Sequence, residues 1–205
     1  PLTPEDCVIQ SMPDVSPTRW HLAHTTWFFE TFVLGRSAEY RKFDPSYEYL
    51  FNSYYNSVGT QFPRPQRGLL SRPGLAEIRQ YRQHVDQHLL AALESGDAID
   101  DTALAIIELG LQHEQQHQEL MLTDIKHVFS LNPLCPAYHD GVWPEDDQPA
   151  DDAGRDWQAF DGGIFDVGAV PAADGASVAD GGGFAYDNES PRHRVLLEAF
   201  ELARR

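Results

Sequence analysis

The 205-residue chain carries 32 Asp and Glu against 15 Lys and Arg, a net charge of -17 that repels phosphate backbones and anionic membranes, so neither nucleic acid nor membrane is an expected partner. Its 41% of apolar residues is enough to build a core in one sizeable domain or two small ones. Two cysteines, Cys7 and Cys135, with no CxxC point away from a disulfide framework or a thiolate zinc site and make a cytoplasmic location the expectation, and no run of 18 apolar residues offers a membrane span.

In chain order, Thr3-Pro4-Glu5-Asp6 reads as the start of a short first helix, a hydroxyl cap followed by Pro and acids in the first turn. Ser16-Pro17 repeats the pattern and opens a second helix to about Leu34, before Gly35. Trp20, His24, Trp27, Phe28 and Thr31 form one stripe of that helix at 3.6-residue periodicity, so His24 is expected to face inward among aromatic rings. His21 lies about 60° from that position on the helical wheel and is the weaker candidate.

From Ser37 to Gly74 the periodicity is lost, and Tyr47, Tyr49, Phe51, Tyr54, Tyr55 and Phe62 crowd a long loop with packing of its own. Within it, Pro63-Arg64-Pro65-Gln66-Arg67-Gly68 sets two guanidinium groups three residues apart on proline-stiffened backbone. Arg suits bidentate carboxylate recognition, but in an acidic chain the plainer expectation is that Arg64 and Arg67 pair with internal acids.

A third helix is expected from Leu75 to Leu93 with Leu75, Ile78, Tyr81, Val85, Leu89 and Ala92 inward; His84 and His88 flank that stripe and read as surface histidines. The fourth runs from about Asp101 to His127. On it Ile106, Leu109, His113, His117, Leu120 and Asp124 share one stripe, so the two histidines project inward one turn apart. With His24 opposite them, the predicted metal ligands are His24, His113 and His117, three neutral nitrogens that leave coordination positions open for catalysis. Glu119 is about 120° from His113 and is not an expected ligand.

His113-Glu114-Gln115-Gln116-His117 also satisfies H-E-x-x-H, the zinc protease pattern, although Leu120 and Thr123 break its extended form. The expected organisation is a helical bundle over residues 1–134, an acidic Pro- and Gly-rich linker over 135–156, and an incomplete β-containing domain over 157–205. Its strands are expected at Trp157 to Val170 and His193 to Leu202. Pro1 in place of Met and the short second domain read as a fragment.

Three separated motifs carry a resemblance. Ser16-Pro17-Thr18-Arg19-Trp20-His21-Leu22-Ala23-His24-Thr25-Thr26-Trp27-Phe28-Phe29-Glu30, then Pro63 to Pro73, then the H-x-x-x-H-x-E of His113 to Glu119, together resemble the sulfoxide synthases of ergothioneine biosynthesis. The resemblance implies a mainly α fold, a DinB-like four-helix bundle followed by the start of an α+β, C-type-lectin-like domain of the formylglycine-generating, sulfatase-modifying type. Phe160 to Gly168 and Asp187 to Val195 resemble the opening of that second domain.

It further implies an iron(II) enzyme that uses O₂ to join a cysteine or γ-glutamylcysteine sulfur to the imidazole of Nα-trimethylhistidine as the sulfoxide. Fe(II) would be the cofactor, Arg64 and Arg67 would hold carboxylates of the thiol, and Gln116 would contact the trimethylhistidine. A catalytic tyrosine is expected in the remainder of the second domain, so residues 1–205 alone are expected to hold metal weakly and to lack turnover. Selenoneine synthases and the synthases of 5-histidylcysteine sulfoxide share the architecture and are alternatives. A zinc-dependent DinB-like thiol transferase and a non-catalytic metal-binding bundle are alternatives of another class.

Overall fold

The computed structural model describes residues 2–95, 99–139, 156–169 and 184–203, which fall into two compact units, residues 1–140 and 141–205. The first is helical: α1 (Thr18–Phe32), α2 (Tyr47–Phe51), α3 (Leu75–Ser95) and α4 (Asp101–Leu131). The expected linker lies largely outside the described residues. No described helix is long and apolar enough to cross a membrane.

The expected first helix is a single 3₁₀ turn, Asp6–Val8. Its start signal is genuine, since Thr3 Oγ1 accepts from the Asp6 amide at 3.2 Å while Asp6 Oδ2 accepts from the Thr3 amide at 2.8 Å. Too few residues follow before Pro13 to offset the cost of nucleating a helix. The long bundle helices among the described residues are therefore three, with α2 set inside the segment expected as a loop.

α1 is the centre of the unit. Trp20, Ala23, Trp27, Phe28 and Phe29 are all buried, and so are His21, His24, Thr25, Thr26 and Glu30, because α3, α4 and α2 each pack against a different side of it. A helix covered on every side shows no stripe of its own. The α3 stripe is as expected, with Ile78, Tyr81 and Val85 at 1%, 0% and 1% exposure, which fixes that helix on α1. α4 buries a narrower seam, Ala103, Gly110, His117 and Asp124, seven residues apart each time. Gly110 permits the close approach there: an added Cβ would lie 2.6 Å from Phe29 Cε1. Leu120, expected on the inner stripe, is 45% exposed at the edge of this seam.

Glu30 ties α1 to its surroundings. Its carboxyl accepts from Tyr40 Oη at 2.8 Å, Tyr81 Oη at 2.6 Å and the Phe43 amide at 2.8 Å, joining α3 and the segment after α1 to one buried group. Burial and that hydrogen bond hold both phenols far above the ordinary tyrosine range, so both act as donors. The α4 start is capped by Asp100, whose side chain accepts from the Ala103 amide at 2.7 Å.

The second unit contains β1 (Trp157–Phe160), β2 (Gly163–Val167), β3 (His193–Leu197) and β4 (Phe200–Ala203). β1 pairs antiparallel with β4, Trp157 opposite Ala203, and β2 with β3, Gly163 opposite Leu197, so the inner pair is nested within the outer one. Phe160 and Phe200 stack at 5.0 Å across the outer pair. The glycine-rich loop between the expected strands lies mostly outside the described residues.

Candidate metal centre

The site is built where α1 and α4 face each other. His24 comes from the middle of α1, and His113 and His117 lie one turn apart on α4. Their ring centroids are 5.0 Å (His24 to His113), 4.8 Å (His24 to His117) and 4.5 Å (His113 to His117) apart. One ring nitrogen from each lies within 4.8 Å of the others, a spacing that metal–nitrogen bonds of about 2.0–2.1 Å bridge after a small inward movement of the rings. It is the one cluster of three or more potential ligands among the described residues.

The donor chemistry fits a divalent ion. His24 Nδ1 lies 2.5 Å from the Phe51 carbonyl oxygen, which can only accept, so Nδ1 carries the proton and Nε2 keeps its lone pair for a metal. His117 Nδ1 is likewise engaged, 2.8 Å from His21 Nδ1. Nδ1 of His113 is buried with no hydrogen-bond partner. Burial lowers all three rings' affinity for protons: His24 well below the usual histidine range, His113 to about 4 and His117 to about 3. At neutral pH the three imidazoles are therefore neutral, the form a metal requires.

These shifts also set a pH dependence for the metal-free protein. An unfolded chain takes up protons on these histidines near pH 6.5 and the folded chain does not, so stability is lost as pH falls below about 6.5. His113 alone, titrating at about 4, is expected to cost about 3 kcal/mol across that window. Urea midpoints measured between pH 7 and pH 4 check this, and a flat profile would contradict it.

Arg64 and Arg67 stand on the 3₁₀ turn Arg64–Leu69, whose three residues per turn place both side chains on one face. Gln10 clamps the turn, donating to the Arg64 carbonyl at 2.8 Å and accepting from the Gly68 amide at 2.6 Å. A Cβ on Gly68 would meet Gln10 Cβ at 2.7 Å, so this close approach needs glycine.

The expectation that the two arginines pair with internal acids is corrected: among the described residues neither does. Arg67 is 2% exposed, donates to Ser16 Oγ at 2.9 Å and Ser53 Oγ at 3.1 Å, and lies 3.4 Å from the Trp20 ring centroid. Its Nε is buried without a partner. Burial lowers the guanidinium to about 9, which leaves it charged at neutral pH. Arg64 donates to the Asp14 carbonyl at 3.3 Å and sits 4.9 Å from the Tyr54 ring centroid.

His24, His113, His117, Arg64, Arg67 and Gln116 all line one cavity of about 380 Å³. The separated motifs of the sequence thus meet around a single space large enough for small-molecule ligands. His21, Asp124, Ser16 and Trp20 line it too. Ser16, expected as a helix cap, serves this wall instead: α1 begins at Thr18, the Pro17 carbonyl takes the first helical bonds, and the Ser16 hydroxyl receives Arg67.

Glu114 points elsewhere. Arg82 on α3 donates to both of its oxygens at 3.0 Å, which removes it from the position a protease base would occupy on metal-bound water. Glu119 is exposed. His84 and His88 pack ring to ring at 4.2 Å beside Tyr40, with no third ligand among the described residues.

A family model described as the DinB superfamily matches residues 1–121, more than half of the chain and inclusive of all three histidines. The chain belongs to the DinB superfamily. Within the matched residues, the side chains that could reach one ion are His24, His113 and His117. The DinB match ends within α4, three residues before Asp124. No curated protein matches the chain.

Proposed function

We propose that this DinB-like unit is the metal-binding half of an iron(II)- and O₂-dependent sulfoxide synthase, which joins a cysteine-type thiol to the imidazole of Nα-trimethylhistidine in ergothioneine biosynthesis. The observation that carries the reading is the buried Arg67 guanidinium, which has no carboxylate partner among the described residues and shares one cavity with three neutral histidines. A buried charge of this kind is costly until an anion meets it. The carboxylate of an amino-acid thiol supplies that anion, with Arg64 on the same face of the turn as its second contact.

Bound iron(II) would supply the oxidising chemistry with O₂, which redox-inert zinc cannot. The protein's own residues do the rest. His24, His113 and His117 would hold the ion; Trp20, stacked on His24 at 4.6 Å, braces that ligand and carries Arg67. Gln116, one residue before His117 and on the cavity wall, presents a side-chain amide to the imidazole substrate. Atoms balance with one O₂: thiol and imidazole C–H lose one hydrogen each, sulfur gains carbon and oxygen, and the second oxygen atom leaves as water.

The test is product mass. The full-length protein, loaded anaerobically with iron(II), is given trimethylhistidine or unmethylated histidine with cysteine, γ-glutamylcysteine or a selenosugar and then exposed to air. The expected product has the mass of the two substrates less two hydrogens plus one oxygen. Formation only with the selenosugar would reassign the donor, and only with unmethylated histidine the acceptor. The family match alone fits a zinc thiol transferase as well. Thiol transfer that runs equally with zinc(II) and consumes no O₂ would overturn the sulfoxide synthase reading.

A further inference from the structure

Two buried groups on the cavity wall have no part in the account above. His21, on α1 one turn before His24, is 3% exposed, and Asp124, on α4 two turns after His117, is 6% exposed. They connect to the metal centre in a line. His117 Nδ1 lies 2.8 Å from His21 Nδ1, and His21 Nε2 lies 3.0 Å from Asp124 Oδ2. The same Asp124 oxygen accepts the Ser16 amide at 3.3 Å.

Each contact in the line allows one proton, and the proton count gives the line a direction. If His117 offers Nε2 to a metal as a neutral ring, its proton is on Nδ1 and is donated to His21 Nδ1. His21 then carries its own proton on Nε2 and donates it to Asp124, which as a carboxylate only accepts. Every acceptor has its donor, and no ring needs an extra charge. The reverse arrangement, with His21 donating from Nδ1, would force the His117 proton onto Nε2 and close that nitrogen to metal.

We infer that Asp124 and His21 are positioning residues for the metal centre, a carboxylate–histidine–histidine chain that holds His117 in the Nδ1–H form with Nε2 turned to the ion. The inference rests on the three-histidine metal reading and assigns a task to two residues outside it. His24 gains the same orientation from a backbone carbonyl, whereas His117, with no carbonyl partner for its ring among the described residues, draws on a buried carboxylate reached through a second ring. Outer partners of this kind commonly carry a 10–100-fold share of metal affinity.

The test titrates cobalt(II) alone into the purified chain against a competing chelator and records the visible d–d spectrum. Wild-type protein that takes up no cobalt(II) would defeat the metal reading itself; unchanged variants on a binding wild type would defeat only this inference. His21→Phe, which keeps a ring of similar size, and Asp124→Leu are each expected to weaken cobalt(II) binding by about 10–100-fold and to shift the d–d bands. Because both act through one chain, the double variant should lose no more than the worse single one.

Asp124→Asn keeps an oxygen acceptor for His21 and should bind more tightly than Asp124→Leu by about 10-fold. Circular dichroism of the metal-free variants separates loss of fold from loss of orientation. Should His21→Phe fail to fold, the Asn-to-Leu comparison decides. Equal affinities and identical spectra in those two variants, or additive losses in the double variant, would overturn the inference.

Discussion

His117→Ala is expected to lower metal affinity by more than about 100-fold, beyond what loss of an outer partner causes, and His24→Ala and His113→Ala should do the same. The three rings approach from two helices, and no fourth His, Cys, Asp or Glu is grouped with them as a replacement among the described residues. Glu119 is exposed, Glu114 is held by Arg82, and His21 turns its Nδ1 to His117. Two nitrogens would remain, and a pair on one helix or across two is half a site. Bound metal per chain after gel filtration measures this, and stoichiometric metal in any one variant would remove that residue from the ligand set. Because His24 and His117 are buried and hydrogen-bonded, circular dichroism of the metal-free variants separates loss of a ligand from loss of fold.

The largest stability effect is expected at Glu30. Glu30→Leu preserves bulk but strips the acceptor from one buried donor, the Tyr81 hydroxyl, and two half-buried ones, the Tyr40 hydroxyl and the Phe43 amide. Leaving a buried donor unsatisfied costs about 1–3 kcal/mol, so the loss should reach about 3–6 kcal/mol. That is a large part of the stability of a typical domain. The damage would spread from α1 into α3 and the segment around Phe43, because one carboxyl joins all three. Urea denaturation of the metal-free chain measures it. A loss under about 1 kcal/mol would mean that water or another group takes over the three donors. Tyr81→Phe, which removes a single donor and leaves the rest of the network satisfied, should cost much less.

How much of this was legible in the sequence differs by element. His113 and His117 declare themselves by a four-residue spacing on a helix with periodic apolar residues, and α3 likewise through Ile78, Tyr81 and Val85. The aromatic neighbours of His24 mark it as inward, as it is. The wheel leaves His21 only a weaker candidate, because it separates inner from outer faces only when a helix has an outer face, and α1 is packed on all sides. Asp124 did fall on the expected stripe of α4, and its line with His117 at a seven-residue spacing was the available signal for the chain that passes through His21.

The composition-based expectation for Arg67 fails for a different reason. Composition favours acidic partners in a chain of charge -17, but the partners of Arg67 are Ser16 and Ser53, which lie 51 and 14 residues away in sequence, together with the face of Trp20. No local pattern encodes those contacts. The first helix fails by length: Thr3 and Asp6 exchange hydrogen bonds across its start, but the element's N-cap is Glu5 and the backbone is already extended at Ile9, well before Pro13. The segment from Ser37 to Gly74 read as a loop because its order is non-local, built on Tyr47 and Phe51 packed into the core and on Gln10 reaching across to the Arg64 turn.

X-ray absorption of the purified chain loaded with cobalt(II) tests most directly whether His24, His113 and His117 hold one ion. Three imidazoles at about 2.0–2.1 Å should dominate the scattering, falling to two at most in His24→Ala at excess cobalt(II). Coordination by oxygen alone, or an imidazole count that His24→Ala leaves unchanged, would contradict the account.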